Sequence, residues 1–326
     1  MIDLNEARDV LKDEVSIEAF DDIVTQRVLG ASKHIHMIGE MIESIALNGR
    51  EKQLSTDIVV DNIITLSTFF IETRGNESQA VSNAINIMIR KIDDVRNLNV
   101  TEAVESIIQK KNSYAEKAQE DTKNVIKYST EIASSMKSIM VFDYSSTVND
   151  FLKNLKNATE DLRVFIPESR VIDGGYPFVK TCQDAGHTVH FIPDCSIMYY
   201  LKQCDGAFIG AETILPDGTT YNTTGSDIVG LVCKEYRIPL YVLTPLIKID
   251  VRSLYGYSKE LKINNLEDRL GINWETSEKE KIIFQCPELL GVDPEHITAI
   301  ITEQGIIPAN QFLNVSINFY NHLKGE

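Results

Sequence analysis

Apolar positions in the first 138 residues recur at helical spacing, whereas the remainder alternates short apolar runs with amphipathic stretches. The first pattern predicts helices over about 16–48, 56–72 and 77–93. Asn99 with Glu102 three residues on has the spacing of a capping box, and the helical pattern behind it runs unbroken to about residue 138. A helix of roughly 40 residues spans about 60 Å, more than one small domain, so it is expected to bridge both halves. Its apolar residues, among them Val104, Ile107, Ile108, Val125, Tyr128 and Ile132, form only a narrow stripe.

Beyond residue 138 the apolar runs fall at 139–142, 163–166, 188–192, 207–209 and 240–243. Helical candidates lie between them at about 145–157, 175–185, 195–203 and 224–236. Short strands separated by helices of this length predict right-handed crossovers and a parallel sheet. Turn chemistry at 215–219 (Leu-Pro-Asp-Gly-Thr) interrupts the alternation with a small hairpin. All nine prolines and all five cysteines follow residue 138. The expected fold is therefore α/β: a helical domain over 1–138, then a Rossmann-like parallel-sheet domain over 139–326.

Composition narrows the function. The chain has 326 residues, 32 Lys+Arg against 48 Asp+Glu and a net charge of −16, which disfavours nucleic acid and anionic membrane as partners. Anionic small molecules stay open, because a few backbone amides and one arginine hold a phosphate against the overall field. No apolar run approaches the ~20 residues that cross a bilayer, and the first ten residues are too polar for a secretion signal. Five cysteines without a CxxC pair fit reduced thiols, so a cytoplasmic location is expected.

In open parallel sheets, ligands bind beyond the carboxyl ends of the strands. The residues following the predicted strands are Asp143-Tyr144-Ser145-Ser146, Glu168-Ser169-Arg170, Asp194-Cys195-Ser196, Gly210-Ala211-Glu212 and Thr244-Pro245. Asp and Ser here are equally the usual helix N-caps, so each residue has a structural as well as a functional reading. Tyr144 to Thr147 could cradle an anion with free amides and hydroxyls, but the segment lacks the glycines of a P-loop or a dinucleotide site. Gly174-Gly175 is a weak signal of the same kind. Arg74, in the break Thr73-Arg74-Gly75-Asn76, could clamp a phosphate or satisfy a helix end. His34 with His36, and His187 with His190, complete no recognisable zinc set, and Cys195 reads as a buried, inert thiol. No metal and no cofactor is expected.

Residues 210–225 (GAETILPDGTTYNTTG) followed by 237–242 (RIPLYV) resemble one known family. Segments 139–148, 167–170 (PESR), Asp194 and 292–307 (VDPEHITAIITEQGII) agree with it in order, as do Thr73-Arg74-Gly75 and Asn83-Ala84. This family unites the α, β and δ regulatory subunits of eukaryotic translation initiation factor 2B with the methylthioribose-1-phosphate and ribose-1,5-bisphosphate isomerases. The resemblance implies a helical domain, a Rossmann-like domain and a homodimer or higher homo-oligomer built through the latter. It also implies a site for a phosphorylated sugar or nucleotide. In the isomerases a Cys follows the first strand and an Asp closes a Gly-Ala-Asp motif; here those positions hold Asp143 and Glu212. The Asn-Lys pair reads Asn222-Thr223, and the Arg of Arg-Gly-Ala reads Leu29, so two cations are absent. Gly-Ala-Glu also occurs in the non-catalytic factor α subunit. The resemblance makes Asp143 and Glu212 the catalytic carboxylates of an aldose–ketose isomerase acting on a pentose 1-phosphate. Arg74, Gly75, Tyr144, Ser145, Ser146, Arg170, Asn222 and Thr223 are then the substrate-binding residues. Two carboxylates in one cleft should repel, raising one pKa. The alternative is a non-catalytic regulatory protein that binds a sugar phosphate or nucleotide.

Overall fold

The structure, a computed structural model, describes residues 2–28, 30–156, 158 and 161–324. Two compact units divide the chain: Met1–Glu120 with Phe319–Glu326, and Asp121–Asn318. No helix among the described residues is long and apolar enough to cross a membrane.

The first unit is helical: α1 (Leu4–Asp9), α2 (Glu14–Val24), α3 (Ala31–Glu51), α4 (Thr56–Glu72), α5 (Arg74–Glu77), α6 (Gln79–Met88) and the start of α7 (Val100–Ala133). Asp3, Asp13 and Ser55 cap α1, α2 and α4 through their side chains, satisfying amides that have no partner within the helix. The single helix expected over 16–48 is two helices. Gln26 and Gly30 adopt left-handed backbone, at φ 57° and 103°, which no helix can continue through. The expected helix over 77–93 ends at Met88, shortly before left-handed Lys91. Phe20, Phe69 and Phe70 meet with ring centroids 5.2–5.3 Å apart at the centre of this unit's core. Phe70→Ala removes a wholly buried ring and is expected to destabilise by about 3–5 kcal/mol in chemical denaturation, while Val15→Ala, at an exposed position, costs little.

Helix α7 has 34 residues, about 51 Å, and Asn99 Oδ1 accepts from the Glu102 amide at 3.0 Å. The division into units falls within this helix, at 120/121. Its narrow stripe supplies Ala103, Val104 and Ile107 to the first core and Val125 and Ala133 to the second.

The second unit is built on a seven-stranded sheet. Its strands are β1 (Ser138–Phe142), β2 (Arg163–Pro167), β3 (Thr188–Ile192) and β4 (Gly206–Ile209), then, after the hairpin β5 (Thr213–Ile214) and β6 (Thr220–Thr223), β7 (Leu240–Leu243). The chain adds β8 (Ile263–Asn265) paired with β9 (Gln285–Pro287), β10 (Leu289–Val292), β11 (Ala299–Thr302) and β12 (Gly305–Pro308). The order is β12-β11-β7-β4-β1-β2-β3, all parallel except edge strand β12. Helices α8 (Ser146–Leu155), α9 (Tyr176–Ala185), α10 (Ile197–Leu201) and α11 (Ser226–Tyr236) make the crossovers. Central strands β1 and β4 are buried throughout, as continuous apolar runs require. The protein is thus α/β, a helical N-terminal region followed by a mostly parallel sheet. Strand order runs one way from β1 through β2 and β3, and the other way through β4 and β7. In open sheets ligands bind where such order reverses, here at the carboxyl ends of β1 and β4.

Candidate functional site

Asp143 is the first residue beyond β1, in left-handed backbone at φ 58°. Asp tolerates this conformation better than most residues. Only 4% of the residue is exposed. Ser169 Oγ donates to Asp143 Oδ1 at 2.9 Å, and Thr223 Oγ1 donates to Oδ2 at 2.7 Å. Burial pushes the Asp143 carboxyl above its ordinary value; the two hydroxyls and the Tyr144 amide oppose the rise, and the Asp194 charge adds to it.

Ser169 is also left-handed, at φ 51°, and fully buried. Asp194 holds it there: the Ser169 amide donates to Asp194 Oδ1 at 2.9 Å and the Arg170 amide to Oδ2 at 2.8 Å. Asp173, at φ 56°, is a third left-handed residue in the same loops. Strained backbone gathered around one buried carboxylate marks a site whose geometry is over-determined by its surroundings.

Gly174 has a specific reason to be glycine, since a Cβ there would overlap Asp143 Oδ1. At Gly175 a Cβ would overlap the Pro167 carbonyl oxygen. The pair that is a weak signal in sequence is the floor of this loop.

Glu212 follows β4. Its amide donates to the Tyr221 carbonyl at 2.9 Å, so its backbone joins the β5–β6 hairpin. Strand β6 touches both loops: the Thr223 side chain bonds the Asp143 carboxylate, and the backbone carbonyl of Tyr221, two residues earlier, accepts from the Glu212 amide. Mutual repulsion between the two acids is the expected cause of a raised pKa. In the structure the leading cause at Asp143 is burial, and the carboxylate that adds to it is Asp194.

The remaining predicted residues divide. Asn222 is buried and donates to Ser226 Oγ at 2.9 Å. Ser145 caps α8, its Oγ accepting from the Val148 amide at 3.5 Å, and its side chain packs where a Gly210 Cβ would otherwise stand, 2.5 Å from Ser145 Cβ. Ser146 opens α8. Tyr144 is 46% exposed, with its ring 5.5 Å from that of Phe178. Arg170 pairs with Glu168 at 3.7 Å and donates to the Arg269 carbonyl at 3.3 Å.

Arg74 and Gly75 belong to the first unit. Arg74 pairs with Glu77, and its Nε donates to His34 Nδ1 at 3.2 Å. Arginine only donates, so Nδ1 accepts and the ring proton sits on Nε2, 2.8 Å from the Val28 carbonyl. Gly75 lies against Ser82, whose Cβ would stand 2.9 Å from an added Cβ. Leu29 lies outside the described residues.

Cys195 is exposed, not buried as its sequence context suggests: it sits in a short helical turn after β3, none of whose three residues is buried. No metal-holding cluster of His, Cys, Asp and Glu exists among the described residues. Two surface hollows, of about 440 Å³ along α7 and about 340 Å³ beside Pro239 and Thr298, include neither Asp143 nor Glu212. Ser169, Asp194 and Gly174 are the functional neighbours that sequence reasoning did not assign. Their signals were their positions just past β2 and β3, the agreement of 167–170 and Asp194 with the family pattern, and the glycine pair at 174–175.

The raised carboxyl has a stability consequence. Its folded pKa exceeds the unfolded value, so its stabilising contribution is complete below about 3.8 and lost as pH rises through the folded value. Asp143→Asn, which keeps the hydroxyl partners, is therefore expected to melt higher than the parent at neutral pH. A gain of ~1 kcal/mol corresponds to about 2–4 °C. Thermal melts at pH 4 and 7.5 check this, and the gain should shrink at the lower pH.

Comparison with known proteins agrees with this architecture. A ribose 1,5-bisphosphate isomerase of Archaeoglobus fulgidus is 24% identical over 298 residues, 90% of each chain. A putative translation initiation factor eIF-2B subunit 2-like protein of Pyrococcus furiosus is 24% identical over 90% of this chain and 96% of its own. Among solved structures, 5-methylthioribose 1-phosphate isomerase from Pyrococcus horikoshii superposes with a TM-score of 0.74 at 18% identity, over 93% of this chain and 87% of its own. The profile of the Initiation factor 2 subunit family matches residues 32–309, and the chain belongs to that family.

Proposed function

We propose that the protein isomerises a pentose 1-phosphate to the corresponding ketose phosphate at the carboxyl ends of β1 and β4, with Asp143 and Glu212 as its acid and base. The observation that carries this reading is Asp143: a buried carboxyl, held by two hydroxyls in left-handed backbone, at the point where strand order reverses. The reaction needs a proton for the ring oxygen as the sugar opens, and a base that moves the proton from C2 to C1. A carboxyl whose pKa is raised by burial is suited to hold the first proton; Glu212, half-buried and one strand away, is suited to the second task. Asn222 and Thr223 would orient sugar hydroxyls, and the amides and hydroxyls of Tyr144, Ser145 and Ser146 at the start of α8, with Arg170, would receive anionic oxygens. Within the helical unit, Arg74, which pairs with Glu77, and Gly75 are proposed as a separate phosphate contact. The names of the relatives, which include isomerases of phosphorylated pentoses, support this substrate class.

A second reading has its own support. Thr223 places a hydroxyl on Asp143 where the isomerase pattern has a lysine, so both carboxylate oxygens are already bonded. A regulatory protein that binds the sugar phosphate without converting it would have no need of that cation. Incubation with ribose 1-phosphate and methylthioribose 1-phosphate, followed by assay for ketose, separates the two. Deoxyribose 1-phosphate, which lacks the 2-hydroxyl, serves as a probe of binding alone. Ketose product supports the isomerase. Calorimetric binding without product supports the regulator.

Assembly as a homodimer is proposed with either reading. Ile228 and Leu231 on α11 and Phe191 on edge strand β3 are each about half exposed, as a subunit surface would leave them in one chain.

A further inference from the structure

The cations near the ends of β4 to β7 differ in how their charge is used. Lys248 donates to the Ala211 carbonyl at 2.6 Å, and Arg252 makes a two-pronged ion pair with buried Asp250, both contacts at 2.9 Å. Lys262 pairs with Glu288 at 3.0 Å. Lys259 is different. Its ammonium donates to the Thr213 hydroxyl at 3.0 Å and stands 5.7 Å from the centroid of the Tyr221 ring, both on the β5–β6 hairpin. Those partners are neutral.

Burial pulls the Lys259 ammonium below its ordinary pKa, and the foremost charge opposing this is Glu212, ahead of Asp250. Among the described residues, however, Glu212 and Lys259 form no ion pair within 4.0 Å. Asp250 and Glu288 have cations of their own. A half-buried amine whose contacts are a hydroxyl and a ring face has its charge available to an arriving anion.

We propose that Lys259 is a ligand-binding residue whose ammonium, together with the donors at the start of α8, receives the phosphate monoester of the sugar beside Glu212. This rests on the reading above and supplies, from the segment between β7 and β8, a cation for a site whose own strand carries Thr223. The chemistry is charge-assisted hydrogen bonding from a compact ammonium to phosphate oxygens. Thr213 fixes the amine's direction, and the Tyr221 ring face favours its charged form.

Calorimetric titration of the full chain with ribose 1-phosphate, and with ribose as the uncharged control, tests it. Lys259→Met is expected to weaken ribose 1-phosphate binding at least tenfold and to leave any ribose binding within twofold. Lys259→Arg should recover most of the loss and Lys259→Gln, which can keep the bond to Thr213 without the charge, should not, whereas a merely structural tether predicts rescue by both. A melting temperature within about 2 °C of the parent establishes that each variant is folded. Should Lys259→Met destabilise, Lys259→Gln takes its place. Parental binding that survives in the uncharged variants overturns the role of Lys259 and leaves the site reading standing. A parent that binds no ribose 1-phosphate overturns the site reading and the lysine's role together.

Discussion

Glu212→Gln and Asp143→Asn are each expected to lower ketose formation from a pentose 1-phosphate by about 10²–10⁴-fold, the usual contribution of a positioned acid or base. Substrate affinity should change far less, because both amides keep the shape of the group they replace. At position 143 the Ser169 and Thr223 hydroxyls can re-pair with an amide. The two variants should differ in stability. Asp143→Asn removes a carboxyl that burial disfavours in its charged form, whereas Glu212 is half-buried and its substitution should leave the melt nearly unchanged. Initial rates over pH 5–9, measured beside thermal melts, provide both readouts. Full turnover in Glu212→Gln would remove that residue from the mechanism, and full turnover in Asp143→Asn would remove the buried acid.

Gly175→Ala is expected to destabilise the second unit by about 3 kcal/mol or more, although its φ of −76° is open to any residue. The obstacle is steric, since the added methyl overlaps the Pro167 carbonyl, which is backbone at the end of β2 and cannot rotate aside. Gly174→Ala meets a side-chain oxygen of Asp143, which can rotate. Its stability cost should be smaller, about 1–2 kcal/mol, but the movement breaks the bonds from Ser169 and Thr223 and turnover should fall at least 10²-fold. Parallel denaturation and activity measurements compare the neighbours. Two glycines with the same balance of lost stability and lost activity would contradict this assignment of floor and catalytic wall.

Much of the sheet was legible because buried parallel strands must be nearly continuous apolar runs. The runs at 139–142, 163–166, 188–192 and 240–243 agree with observed strands to within a residue. The break between α2 and α3 was not, since Gln26 carries no sign of left-handed backbone and a lone glycine such as Gly30 also occurs inside helices. At the site, Asp143 and Glu212 stood out as residues following strands. The bond between Thr223 and Asp143 joins positions 80 residues apart, and neither local pattern contains it. Ser169 and Asp194 showed the same limit: each sits just past a strand, but their joint hold on the loop exists only when β2 and β3 pair. Lys259 lies in a stretch without periodicity, so no local pattern singled it out.

The amino-acid order alone determined where the main strands of the sheet fall and that an acidic residue follows each of two central strands, β1 and β4. Tertiary structure decided what those acids are. Burial, which depends on the whole sheet and its crossover loops, raised one carboxyl. The β5–β6 hairpin set hydroxyls against it and brought Lys259 toward the other. Local propensity acts over a few residues, whereas desolvation and hydrogen bonding are properties of surfaces that meet only after the chain has folded.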